Sequence, residues 1–229
     1  MVREKNAAHE LDISESELDA RLARFDAFPT KEQRAGGLSR ASAAWMLALS
    51  LVGMFASLEL IMAEKAKLTA PDTDLACDLN SLIGCGKWIG SWQNALFFGI
   101  SNSVLGLAFF AGVAALALVL LTGGRFGKLL WQALCVAMML AIVWVLWFQY
   151  QSFIVARSIC PYCFVTWIAT IPLAVLVWAR ALQAGHWGKR VEPFGRVLVR
   201  NRFIVIAAWY AALAIFTLVW FWDTWVRIF

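Results

Sequence analysis

"SAAWMLALSLVGMFASLELIM", Ser42 to Met62, runs for 21 residues with a single charged side chain, Glu59. A stretch of about 20 mostly apolar residues is what a helix needs to cross the ~30 Å hydrocarbon core of a bilayer. Four more runs approach that length: Val104 to Leu121, Leu129 to Gln149, Cys160 to Leu182 and Phe203 to Trp222. Inside hydrocarbon the backbone must satisfy its own hydrogen bonds, and none of these runs alternates with a period of two, so all five read as helices rather than barrel strands. The fold class is an all-α integral membrane protein.

Composition agrees. The chain is 62% hydrophobic and 15% charged, against about half apolar and a quarter charged in an ordinary soluble domain. A net charge of +5 raises nucleic-acid binding, but the basic residues cluster between the apolar runs, where they act as topology signals. No nucleic-acid partner is expected. "MVREKNAAHELDISESELDARLARFDAF", Met1 to Phe28, is polar and lacks a signal-peptide pattern, so the first apolar run reads as an uncleaved signal anchor.

The Lys and Arg distribution orients the chain. Fifteen lie before the first run, between the second and third, or from Arg180 through Arg202, and five lie on the opposite side: Lys65, Lys67, Lys87, Arg157 and Arg227. The positive-inside rule puts the N-terminus in the cytoplasm and the C-terminus outside. Residues 1–41 then form a cytoplasmic segment, residues 183–202 a basic cytoplasmic loop, and residues 203–229 a fifth transmembrane helix with a short outer tail. Ser14 and Glu17 make a candidate capping box, followed by Leu18, Leu22 and Phe25 at helical spacing, which predicts a short amphipathic helix in the N-terminal segment.

Four of the five cysteines fall on the outer side. Cys77 and Cys85, in "CDLNSLIGC", lie in the loop between the first two runs, and Cys160 and Cys163 form "CPYC" at the start of the fourth. Cys135 lies within the third run, roughly 20 Å below the outer surface at 1.5 Å per residue, and reads as a buried apolar residue. Disulfides persist outside the cytoplasm. Pro161 suits a first helical turn, whose free amides stabilise a thiolate on a neighbouring cysteine. The thirteen residues from Glu64 to Cys77 span about 40 Å when extended, so the loop pair can reach the helix pair. Three readings of the residues stand at this point. They are a thiol–disulfide relay feeding a lipid quinone among the outer helix ends, two inert disulfide staples, and a four-thiolate zinc site, which the spacing of the first pair disfavours.

"CDLNSLIGC", then "SNSVLG" opening the second membrane helix, then "CPYC" opening the fourth, together resemble the vitamin K epoxide reductase family in its bacterial form. The match runs from about Ser42 to Leu182. Order matters, because the DsbB family of quinone-linked disulfide generators carries its Cys-x-x-Cys pair first. The resemblance implies a four-helix transmembrane bundle over residues 42–182, with the outer cysteine loop at 65–103, around a quinone of the menaquinone or ubiquinone type and without a metal. The fifth helix packs outside it. It also implies a place in the bacterial cytoplasmic (inner) membrane and a DsbA-like thioredoxin-fold partner, here a separate protein because the chain stops at Phe229. Carried over by position, Cys77 exchanges with the partner, Cys85 passes the electrons to Cys160, and the Cys163 thiolate reduces the quinone. Asn102 hydrogen-bonds a quinone carbonyl, although its position also suits a helix N-cap.

The chain departs from the better-known members at two positions. Trp167 stands where the vertebrate enzymes have a tyrosine, offering an indole N–H and no hydroxyl, and Gly86 stands where they have serine. Vitamin K epoxide reduction therefore ranks below disulfide generation, and a non-enzymatic membrane protein with stapled outer loops is the competing class. Glu59 is either a proton relay or an interfacial side chain reaching for water. Trp88, Trp92, Phe97 and Phe98 predict either a surface helix capping the quinone pocket or an interfacial aromatic belt.

Overall fold

The computed structural model describes residues 28–80 and 82–228. The capping box at Ser14 and Glu17 and the stripe Leu18, Leu22 and Phe25 lie outside the described residues. Five helices are long and apolar enough to cross a membrane, and among the described residues there is no strand, only two isolated bridges.

Each helix starts where a local signal allows it. A one-turn helix α1, Lys31–Arg34, is held by a reciprocal capping box between Thr30 and Gln33. Helix α2, Arg40–Thr69, begins behind Ser39, whose hydroxyl accepts from the Ser42 amide. Helix α3, Asn102–Leu121, is capped by Ser101. Helix α4, Lys128–Tyr150, continues into a π-helical turn, Gln151–Val155. Helix α5, Pro161–Gln183, has Cys160 at its N-cap and Pro161 in its first turn. Helix α6 is Glu192–Trp220, and α7, Trp222–Ile228, is a short terminal helix.

The predicted runs match the five spans, but most of the helices extend past them. The fifth differs most: the stretch read as a basic loop, 183–202, contains the first turns of α6, which start at Glu192 rather than Phe203. Hydropathy marks only the part of a helix that lies in hydrocarbon, and basic residues are good helix formers. Here Pro193 sits in the first turn and Arg196, Arg200 and Arg202 ride on the helix.

Helix α5 is the centre of the bundle, packed against α2, α4 and α6, while α2 also packs along α3. Gly53 lets α2 approach α3 closely, since a Cβ there would run into the Phe110 ring. One core, built around Met46, Leu120, Cys135, Met138, Leu173 and Val177, fills the basic end. Cys135 is fully buried there and free, as its position predicted. A second core, around Leu82, Phe148, Phe153 and Trp167, lies under the cysteine loop. Helix α6 flanks the bundle, with Phe203, Ile204, Ile215 and Val219 exposed.

The two ends are told apart by their loops. At one end Phe126 N–H and the Trp131 indole both donate to the Gly36 carbonyl, at 3.1 and 3.0 Å, and the Gln132 amide donates to the His186 carbonyl at 2.9 Å. At the other end the α2–α3 and α4–α5 connections meet. That meeting assembles the site.

Candidate active site

The cysteine loop is a folded unit. Asn80 Oδ1 accepts from the Leu82 and Ile83 amides at 2.9 and 2.8 Å, which closes an Asx-type turn. Asp78 Oδ1 accepts from the Cys85 amide at 2.6 Å and the Gly86 amide at 2.9 Å. Gly84 and Gly86 must be small, because a Cβ at either would come within 2.6 Å of the Asp78 carboxylate. These bonds bring Cys77 and Cys85 to a Cα separation of 5.8 Å, and the two are joined as a disulfide.

The folded loop docks on the strand-like segment ahead of "CPYC". Ile83 and Ile159 form a parallel bridge in which Gly84 N–H donates to the Ile159 carbonyl at 3.0 Å and Ile159 N–H to the Leu82 carbonyl at 2.8 Å. The Ser158 hydroxyl adds a bond to the same Leu82 carbonyl at 3.1 Å. The segment reaches this position through the π-turn and Arg157, which has φ of 45°. Docking sets the Cys160 sulfur 3.5 Å from Cys85 Sγ, with both side chains fully buried.

Cys160 is also the N-cap of α5, accepting from the Cys163 amide at 3.4 Å. A hydrogen bond from the Cys163 thiol and bonds from the backbone amides of Cys163 and Tyr162 hold the Cys160 thiol below its ordinary value, against the opposing effect of burial. Cys160 and Cys163 are both free thiols here. The helix-terminal donors act first on Cys160 rather than on Cys163, the residue named above as the thiolate.

Below the cysteines lies a cavity of about 400 Å³, walled by α2, α3, α4, α5 and the loop. The residues of α2 on this wall, Ser57, Leu60 and Glu64, were not among the expected ones. Cys85, Cys163, Asn102 and Trp167 all line it, so four of the six expected site residues share one cavity, while Cys160 lies against Cys85 outside the lining. Cys77 forms the far side of the disulfide and is not in the lining. Asn102 Nδ2 donates to the Gln93 carbonyl at 2.7 Å, while its Oδ1 is buried with no partner among the described residues. Trp167 is buried, edge-on to Phe153 and Phe164.

The aromatic segment is not a helix. Gly90 and Gly99, both with φ of 78°, bracket only one 3₁₀ turn, Trp92–Ala95. It divides the two expected roles: Trp88 and Phe97 line the cavity, whereas Phe98 is 98% exposed. Glu59 does not face the cavity and accepts from the Tyr162 hydroxyl at 3.4 Å. Glu64, five residues on, does face it. At 100° per residue, five positions turn a side chain about 140° around the helix, which separates the two carboxylates. Ser57, Leu60 and Glu64 were a signal in the sequence, being spaced to share one helical face.

A family model, that of the vitamin K epoxide reductase family, matches residues 44–178, which cover more than half of the chain. The chain belongs to that family. The matched residues include all four outer cysteines, Asn102, Trp167 and Glu64. The comparison with curated protein sequences gave no match. Vitamin K epoxide reductase family membership makes this a membrane thiol oxidoreductase. Among the described residues, no group of three or more His, Cys, Asp and Glu side chains comes together that could hold a metal ion.

Proposed function

We propose that this family member oxidises a thioredoxin-fold partner of DsbA type and passes the electrons to a lipid quinone, so generating disulfides in exported proteins. The observation that carries the reading is the 3.5 Å approach of Cys85 and Cys160 directly above the cavity that Cys163 lines. The cavity suits a quinone ring: it is mostly apolar, falls within the roughly 300–1,000 Å³ of small-molecule sites, and carries on its wall Asn102, whose Nδ2 has a second hydrogen to donate besides the one given to Gln93.

A bound quinone supplies a sink for two electrons and two protons. The chain does the rest. A partner thiolate attacks Cys77, the loop sulfur outside the cavity lining, and releases Cys85 as a thiolate. Cys85 attacks Cys160 in the oxidised helix pair and displaces Cys163, and a second partner thiol resolves Cys77. Once Cys160 is bonded to Cys85, the donors at the α5 N-terminus serve the Cys163 anion instead. The Cys77 thiolate attacks Cys85, which re-forms the loop disulfide and releases Cys160 as a thiolate, and the Cys160/Cys163 pair would then give its two electrons to the acceptor in the cavity, with Cys163 the sulfur that lines it, and close as the helix disulfide. Asn102, tethered through Gln93, positions an amide on the cavity wall. The arrangement seen, with the loop pair joined and the helix pair reduced, fits the stage after the electrons have moved inward.

The Lys and Arg distribution supports an orientation with the cysteine end outside and the N-terminus inside, and the resemblance to the bacterial form of the family supports a bacterial cytoplasmic membrane. The test is quinol formation by purified protein supplied with a reduced thioredoxin-fold protein and a quinone. Cys163→Ala stops turnover, and full turnover by that variant would overturn the reading. An assay of vitamin K epoxide turnover separates the related activity, for which Trp167 offers no hydroxyl.

A further inference from the structure

The cavity wall contains one charged side chain among the described residues, Glu64, and the relay above does not use it. Glu64 follows Ser57 and Leu60 on the cavity face of α2. Its Oε1 accepts from Asn94 Nδ2 at 3.2 Å, and its Oε2 from the hydroxyls of Ser101 and Ser103 at 2.6 and 3.3 Å. Those two hydroxyls also meet each other, at 2.5 Å. They flank Asn102 in sequence, and Asn102 shares the wall with Glu64 and Cys163. Glu64 is half-buried and its neighbour Lys65 is exposed, so the carboxylate stands between cavity and surface.

No other charge competes at this wall. Helix α3 has no charged residue, and the charges of α4 and α5, Lys128 and Arg180, lie at the opposite end. Glu59, Lys65 and Lys67 on α2, and Asp72, Asp74, Asp78 and Lys87 in the loop, are outside the lining. The remaining titratable side chain on the wall is Cys163, since Cys85 is in the disulfide.

The chemistry needs such a group. When Cys160 and Cys163 go from dithiol to disulfide they give up two electrons and two protons, and conversion of a quinone to a quinol takes up both. Sulfur exchange moves electron pairs as thiolates and delivers no proton to the cavity. The sulfur that delivers the pair acts as a thiolate, so a proton that left it must come back by another route.

We infer that Glu64 is the acid that returns it. The carboxyl O–H bond breaks as the quinol O–H bond forms, and the carboxylate is reprotonated from water on the outer face. The Ser101 and Ser103 hydroxyls, which both donate and accept, hold it in place. This inference rests on the quinone reading above.

The experiment uses the full chain in detergent, with Glu64→Gln and Glu64→Asp. Gln keeps the side chain's length and hydrogen-bonding positions, so a purely structural clamp predicts wild-type behaviour. A proton donor predicts that kcat for quinone reduction falls at least ~10²-fold, that KM for quinone is little changed, and that one limb of the pH–rate profile disappears. Glu64→Asp, which retains a carboxylic acid, restores the limb. Independently of turnover, the infrared spectrum of the quinone-free protein shows a carboxyl-group band that is lost in Glu64→Gln and shifted in Ser101→Ala. A wild-type pH profile in Glu64→Gln, or no change in the carboxyl band, overturns the inference. If the wild-type protein reduces no quinone, it is the reading under Proposed function that fails instead.

Discussion

Cys160 Sγ lies 3.5 Å from Cys85 Sγ, one of the two sulfurs of the loop disulfide. That contact selects which sulfur is exchanged. In Cys163→Ala the Cys160 thiolate has no partner on its own helix, so it attacks Cys85 and releases Cys77 without any external oxidant. A Cys85–Cys160 crosslink is therefore expected in that variant, read by peptide mapping under non-reducing conditions. Recovery of the Cys77–Cys85 link alone would contradict it. The complementary variant, Cys85→Ala, leaves Cys77 unresolved and traps a mixed disulfide with a thioredoxin-fold partner.

Asp78 organises the loop by accepting two amides, and those bonds hold Cys85 in its docked position. The carboxylate is exposed, so solvent screens part of its effect, and Asp78→Ala should cost about 1–2 kcal/mol in the oxidised protein. Asp78→Asn keeps an acceptor oxygen and should lose much less. Gly86→Ala should resemble Asp78→Ala, because its methyl group displaces the same carboxylate. Thermal midpoints in detergent, with the rate at which a small dithiol reduces the loop, check all three; equal midpoints would remove Asp78 from this role.

The depressed Cys160 value has a sign that can be tested. Thiols are neutral when protonated, so between the Cys160 value and the ordinary 9.0 the folded, reduced protein binds fewer protons than the unfolded chain. Its stabilising contribution is complete above the ordinary value and is lost as pH falls through the Cys160 value. Thiolate ultraviolet absorbance of the reduced protein should titrate below the ordinary range. Cys163→Ala removes the largest contributor and should move that titration upward, though not all the way, because the amide donors remain. Titration at the ordinary thiol value in wild type would refute the assignment.

The seam between α5 and α6 depends on Gly195, where a Cβ would collide with the backbone at Leu182 and Gln183. Backbone cannot step aside as a side chain can, so Gly195→Ala forces the helices apart, at a cost of about 1–3 kcal/mol or more. Gly112, with open space around the same position, is the control: Gly112→Ala should be close to neutral. A thermal shift of equal size in both would show that α6 docks elsewhere.

Cysteine positions and the helix count were legible in the sequence because each follows from local chemistry. Apolar length alone sets how many helices can cross a bilayer, and Cys160-Pro161 at a helix start is a signal contained in four residues. The start of α6 was misplaced for the same reason, since hydropathy is silent about a helix that continues into its basic turns. The aromatic segment misled as well, because the glycines that break it act through backbone conformation, not hydrophobicity.

Sequence by itself determined a five-span, all-helical membrane protein with four cysteines arranged as a loop pair and a helix pair. Only the tertiary structure decided the 3.5 Å distance between Cys85 and Cys160, the place of Ser57 and Leu60 of α2 in the cavity wall, and that Glu64 rather than Glu59 is the carboxylate inside it. Those relationships depend on contacts such as Ile83 with Ile159 and Ser101 with Glu64, between residues 76 and 37 positions apart. No local propensity encodes them; they exist because burying the loop's apolar side chains, with every backbone group paired, admits few ways for it to lie on the helix ends.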